Sequence, residues 1–459
     1  AISHSPSTGW AHASRHFASP RRSNNKETLA IFYRSFKVKA IFANVQSGFF
    51  AHVLNDNPEG HDVQKGMLPA NMGWRLVMML RFCVAVAVLL FAATNVFAAD
   101  ITVGFVTSLS GPGASIGIPY EKGILAADAY AGKVGDTNIK LIRLDDSSDP
   151  SVATRNARKL VEEEKVDVLI GTSGVPGTIA MAVVGAETKT PMISLTPASQ
   201  PQGPNGQWLI SIPQPPPLMV AAVVDRMKKD GVKKAAYIGF SDSWGDLVYD
   251  ALMKNVGAAQ IDVLTNERYA RADTSVTGQI LKIVSTQPDA VITGGSGTPG
   301  ALPYLALADR GYKGGLYGTH ALINPDFVRV GGAAVEGLIA PTGPVIVAEQ
   351  LPDSNPTKKI SLAFRDVYQK TNNAPTSDAF SAYSFDAWLV FIDAAKRAMQ
   401  KAQPGTPEFR EALRDALVST KDVVGTHGVY NFQPGNYFGV DERARVLVQL
   451  QKGQWKLLQ

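Results

Sequence analysis

The chain has little of what most catalytic and metal-binding proteins use. Its 459 residues include one cysteine, Cys83, which excludes intramolecular disulfides and thiolate metal sites. Histidine is also scarce. Five of the seven (4, 12, 16, 52, 61) fall in the first 66 residues, without the i, i+3 or i, i+4 spacing that a helical metal site needs. That leaves His320 and His427 for everything downstream. Charged residues make up 19% and hydrophobic ones 45%, with 41 Gly and 28 Pro, a composition that excludes a disordered tail or a coiled coil. The apolar run Phe82 to Ala93 has 12 residues. As a helix it spans about 18 Å, short of the ~30 Å hydrocarbon core of a bilayer.

The excess of positive charge is confined to one end. The formal net charge of +5 points to a polyanionic partner, yet residues 1–98 hold 10 Lys+Arg against 4 Asp+Glu. Residues 99–459 hold 35 against 36, so the bulk of the chain is near neutral and nucleic acid is not an expected partner.

Enzyme motifs are missing as well. A nucleophile elbow requires Gly-x-Ser-x-Gly, and both Gly171 to Val175 and Gly294 to Thr298 fail at the fifth position. There is no Gly-x-x-x-x-Gly-Lys phosphate loop. Gly111, Gly113 and Gly117 follow an apolar run as a dinucleotide fingerprint would, but the last interval is one residue too long and Pro112 stiffens the turn. Asp145, Asp146 and Asp149 lack the downstream bidentate Glu of a calcium loop, so helix capping is the expected role. No metal or cofactor is expected, and an α/β hydrolase or dehydrogenase is disfavoured.

What is present starts with a leader. Met78 to Arg81 form a positive n-region, the run from Phe82 follows, and Val96-Phe97-Ala98 supplies small residues for cleavage before Ala99. Residues 78–98 therefore read as a signal peptide for the periplasm, with an uncleaved anchor as the alternative. Residues 1–77, whose first methionine is Met67, read as an over-extended or disordered N-terminal stretch.

From Ile101 onward short apolar runs alternate with amphipathic segments. Strands are expected at 101–106, 139–144, 166–170 and 192–195, with helices near 119–131 and from Pro150 to about 165. A second series follows Pro217, with helices at 218–230, 244–256, 274–286 and 300–310. Its strands lie at 235–240, 260–268, 290–293, 315–318 and near 337–340. Helices at 357–371, 378–402 and 407–419 precede two closing strands, 444–450 and 455–458. This alternation predicts an α/β fold of parallel sheets flanked by helices, in two lobes separated by Pro213 to Pro217.

The loops after the strands are rich in hydroxyls and small residues. Ser108 to Ser115, which includes Ser110, follows the first strand, Thr172-Ser173-Gly174 the third and Thr196 to Ser199 the fourth. Ligands of open α/β sheets bind outside the carboxyl ends of strands, where helix N-termini present free N–H groups that suit a carboxylate. Three such loops without a catalytic base suggest a binding cleft. In the second lobe Trp244, Ser296 and Thr319-His320 also follow strands, and Trp244 is placed to cover a flat or apolar ligand.

In four places the residues resemble the type I periplasmic solute-binding proteins of ABC transporters, the branched-chain amino-acid receptor family. These are Val103 to Pro112, Asp145 to Pro150, Ile193 to Pro201 and Gly239 to Gly245, and the resemblance covers Asp100 to Gln459. It implies two Rossmann-like lobes joined by three crossovers, placed near 213–218, 341–345 and 427–432. The first lobe would comprise 99–215 plus 345–428 and the second 216–344 plus 429–459. The resemblance puts carboxylate contacts on Gly174, Val175, Ala198 and Ser199, an aromatic on Trp244 and a strand-end contact on Ser296. Ser110, Ser115, Ser173, His320 and Tyr383 complete the candidate ligand-binding residues. It further implies a monomer that traps a small molecule by lobe closure and delivers it to a membrane permease and its ATPases.

The chain departs from the family where amino-acid binders hold the ligand's ammonium with acidic residues. Those places match Pro216 and His320. A buried ammonium without a charge partner costs several kcal/mol, so the expected ligand is a carboxylate, aromatic given Trp244, rather than an α-amino acid. A branched-chain receptor with altered ammonium contacts and a ligand-sensing module of the same fold are the alternatives.

Overall fold

The computed structural model describes Met78 and residues 99–458 except 199, 200, 202 and 377. The expected leader beyond Met78, and the stretch before it, lie outside the described residues.

Two sheets organise the chain. The first has the order β2-β3-β1-β4-β5-β6, built from β1 (Ile101–Thr107), β2 (Lys133–Val134), β3 (Thr137–Asp145), β4 (Val168–Gly171), β5 (Met192–Ser194) and β6 (Leu209–Ser211). The second runs β15-β14-β11-β10-β9-β7-β8. Its strands are β7 (Lys234–Phe240), β8 (Asp262–Tyr269), β9 (Ala290–Gly294), β10 (Gly315–Tyr317), β11 (Ile339–Thr342), β14 (Val446–Gln451) and β15 (Gln454–Leu457). The pairings are parallel except β2 on β3, β14 on β11 and β15 on β14. Strands β12 (Val423–Val424) and β13 (Val429–Tyr430) form a separate hairpin.

The central strands are the near-continuous apolar runs expected of sheets covered on both faces. Helices in chain order are α1 (Ala114–Tyr130), α2 (Pro150–Glu162), α3 (Val175–Glu187), α4 (Pro216–Lys229), α5 (Ser243–Ala259), α6 (Thr277–Ser285), α7 (Leu302–Asp309), α8 (Pro325–Gly331), α9 (Lys358–Asn372), α10 (Phe380–Ala398) and α11 (Pro407–Val418). Local chemistry sets their starts. Asp149 caps α2 by accepting from the Ser151 and Val152 amides at 2.7 and 3.0 Å, with Pro150 in the first turn. Asp242 does the same for α5 with the Trp244 and Gly245 amides.

The lobes are Rossmann-like and joined by three passages of chain, at residues 212–215, near Gly343, and over 431–445. The third begins after Tyr430, which is held in the β12–β13 hairpin. Helix α3 and strand β6 were not expected at all. In each sheet the chain reverses its direction of travel beside the first strand, between β1 and β4 and between β7 and β9. Such switch points open a crevice at the carboxyl ends of the strands. A core centred on α10 buries Phe385, Trp388 and Phe391 in the first lobe, and Tyr237, Phe240 and Ile292 are buried in the second.

Candidate functional site

Both crevices face the same space. Residues from each lobe line a single cavity between them. The lobes are closed upon it, since Val175 and Ala198 of the first pack in one apolar cluster with Trp244 of the second.

The first lobe supplies hydroxyls and a helix start. Ser173 follows β4, and its Oγ lies 2.8 Å from Thr107 Oγ1 and accepts the Ser108 amide at 2.9 Å, which stitches the two strand ends together. Gly174 is the N-cap of α3 and has no side chain to cap it, so the Val175 N–H borders the cavity without a side-chain partner. Tyr120 of α1 and Phe380 of α10 form an edge-to-face pair, centroids 5.6 Å apart, that also lines the cavity. The Tyr120 hydroxyl donates to the Leu195 carbonyl.

The second lobe supplies the aromatic floor and the charge. Trp244 is locked at the start of α5 by donating its indole N–H to the Gly295 carbonyl at 3.2 Å, across the switch point. His320 stands edge-on to it, centroids 5.7 Å apart. Its Nδ1 is buried with no hydrogen-bond partner, and burial pushes its pKa down to about 4, so the imidazole is neutral at pH 7. Arg271 follows β8. Its Nε meets Asp242 Oδ2 at 2.6 Å, Nη1 donates to Ser296 Oγ at 3.0 Å, and the guanidinium lies 4.2 Å from the Phe240 ring centroid. Arg271 is the one Asp, Glu, Lys or Arg among the described residues that line the cavity.

Of the expected site residues, Ser173, Gly174, Val175, Trp244, Ser296, His320 and Tyr383 line this one cavity. Ser115 sits between the lobes, where its Oγ accepts the Thr298 amide at 3.0 Å and its carbonyl accepts from Asn324 Nδ2. Ala198 is buried in the inter-lobe cluster but does not line the cavity. Ser110 lies apart from this cavity. It is exposed, its hydroxyl donates to Asp145 Oδ2 at 2.7 Å, and it takes no part in the cavity wall. Ser199 lies outside the described residues. Pro216 is buried in the first turn of α4 and does not line the cavity, whereas Pro197 and Pro213 do.

The sequence reading missed Arg271, Tyr120 and Phe380. Arg271 had a usable signal, since it stands in a loop at the carboxyl end of a strand, as Ser296 and His320 do. Tyr120 and Phe380 carry no such mark, because aromatics on helices read as core. Among the described residues no group of three or more His, Cys, Asp or Glu is placed to hold a metal ion. No helix among them is long and apolar enough to cross a membrane.

The sequence profile described as "Periplasmic binding protein" matches residues 100–445. The Leu/Ile/Val-binding protein homolog 3 of Brucella melitensis is 26% identical over 357 residues, 74% of this chain and 90% of that protein. An extracellular ligand-binding receptor from Rhodopseudomonas palustris superposes with a TM-score of 0.76 at 40% identity, over 79% of this chain and 100% of the receptor. A solute-binding protein of an ABC transporter from R. palustris, in complex with 4-hydroxybenzoate, superposes with a TM-score of 0.67 at 21% identity. That match covers 78% of this chain and 96% of the other.

Proposed function

From the premise that this chain belongs to the periplasmic binding protein family, we propose that it is the substrate-binding component of an ABC importer for a small aromatic carboxylate. The leader at 78–98 delivers it to the periplasm, the lobes close on the solute, and a membrane permease with its ATPases receives it. The family is one of binding and transport proteins, and the role assigned here is capture rather than catalysis.

One observation carries the choice of ligand. The cavity wall contains a guanidinium, Arg271, and no carboxylate. A charge taken out of water needs a partner of opposite sign. Arg271 is already paired with Asp242, so a ligand carboxylate meets the guanidinium's remaining N–H donors, together with the Val175 N–H at the start of α3. An α-ammonium finds no partner of opposite sign, and His320 stands neutral where an acidic residue is expected in amino-acid binders. Trp244, Tyr120 and Phe380 give the remaining surface to a flat apolar body. The 4-hydroxybenzoate held by the R. palustris protein of the same fold supports the choice of probe.

The test is thermal unfolding of the protein with benzoate, 4-hydroxybenzoate, leucine, isoleucine and valine. A ligand at 100 times its Kd adds about 2.7 kcal/mol to stability. The aromatic acids are expected to raise Tm and the amino acids to leave it unchanged. Strong stabilisation by leucine or valine alone rejects the carboxylate reading.

A further inference from the structure

Tyr383 lines the cavity, yet its other contacts lead away from it. Its hydroxyl donates to Gln214 Oε1 at 2.6 Å. Gln214 sits in the first passage between the lobes, is fully buried, and donates from Nε2 to the Ala444 carbonyl at 2.7 Å, in the third passage. The ring of Tyr383 stacks on His427, with centroids 3.8 Å apart and planes at 11°. His427 in turn packs against the second passage, so closely that a Cβ on Gly343 would sit 1.9 Å from its Nδ1.

One turn further along α10, Asp386 fixes the hairpin that carries His427. Its carboxylate accepts the Thr426 and His427 amides at 2.7 and 2.9 Å and the Tyr430 hydroxyl at 2.9 Å. His427 Nε2 lies 3.0 Å from the Ala379 carbonyl, at the start of the same helix. One side chain in the cavity wall is therefore tied, through Gln214 and His427, to each of the three strands of the hinge.

We propose that Tyr383 is a positioning residue for lobe closure, which couples the cavity wall to all three inter-lobe passages through Gln214 and His427. Displacement of the phenol by a bound solute acts at once on the Gln214 bond and the His427 stack. The hinge strands then move as one unit rather than separately. This holds whichever solute the cavity takes.

Two variants probe it without ligand, so the outcome is separable from the choice of carboxylate. Tyr383→Phe keeps the stack and deletes the bond to Gln214. Gln214→Met deletes both amide bonds at a residue that does not line the cavity. The full chain, as Cys83→Ser, is spin-labelled at the exposed positions Lys133 and Lys282, one on each lobe, and amide exchange is followed in parallel. Both variants are expected to broaden the inter-lobe distance distribution. Exchange should accelerate tenfold or more in all of 212–215, 341–345 and 431–445, with β1 and β7 unchanged. Faster exchange confined to the mutated segment, with a distribution of wild-type width, overturns the proposal. Should Gln214→Met fail to fold, Tyr383→Phe, which removes a single oxygen, decides alone.

Discussion

Arg271 is placed by two partners before any solute arrives, Asp242 at one edge and Ser296 at another. A guanidinium held in this way loses little side-chain entropy on meeting a carboxylate. Arg271→Met keeps an unbranched apolar stem and removes the guanidinium that lies over Phe240. Binding of 4-hydroxybenzoate, measured by calorimetry, is expected to weaken about 100-fold, the ~2–3 kcal/mol of a charge-assisted bond. Undiminished affinity would place the carboxylate elsewhere in the cavity. At this scale the sequence was half legible. Loop residues after strands, such as Ser173, Trp244 and His320, line one cavity, because the carboxyl ends of parallel strands converge on one crevice. Ser110 shares that position but lies outside the cavity wall, since a nearby carboxylate, Asp145, engages its hydroxyl. Which loop residue turns inward depends on neighbours that chain order does not specify.

Helix α5 shows how tightly an element must seat to bring Trp244 to the crevice. Its first turn closes on the end of β7, where a Cβ on Gly245 would sit 1.9 Å from the Phe240 carbonyl oxygen. Gly117 of α1 makes the same close approach to Ser108 after β1, a helix-to-strand contact that a dinucleotide fingerprint also uses. Gly257, near the other end of α5, has open space around it. The two glycines of one helix should therefore respond to alanine with opposite signs. Gly245→Ala is expected to destabilise by about 1–3 kcal/mol through overpacking. Gly257→Ala should stabilise by about 0.5–1 kcal/mol through helix propensity. Urea unfolding midpoints distinguish them, and equal shifts would refute the seating argument. Most elements were legible from period and punctuation. Helix α3 was not, because Val175 to Glu187 is apolar on nearly every side and packs both on α2 and across the cleft on α5. Burial on two sides erases the periodic face by which a helix is recognised.

Over the whole molecule, two buried imidazoles give the fold a dependence on acid. Burial lowers the pKa of His320 to about 4 and of His427 to about 3, from 6.5 in an unfolded chain. A base with a depressed folded pKa contributes stability that is complete above pH 6.5 and declines as pH falls through that window. Asp386 works the other way. Burial raises its pKa to about 6, so it favours the folded state as pH falls from 6 towards 3.8. His320→Phe removes one imidazole and leaves Asp386 in place. Compared with this variant, the wild-type protein is expected to lose about 1.4 kcal/mol per pH unit between pH 6.5 and 4.5. Unfolding curves at both pH values check this, and parallel losses in the two proteins would show that His320 titrates normally.

The polar bridge from Ser115 to Thr298 and Asn324 has a kinetic consequence. It spans the lobes beside a cavity whose walls come from both, so the lobes part only when that bridge breaks. Residence time then reflects how often the protein opens rather than how strongly any one atom is gripped. Solutes that differ in affinity but fill the cavity equally should escape at similar speeds, and shortening Ser115 to alanine should hasten the departure of all of them together.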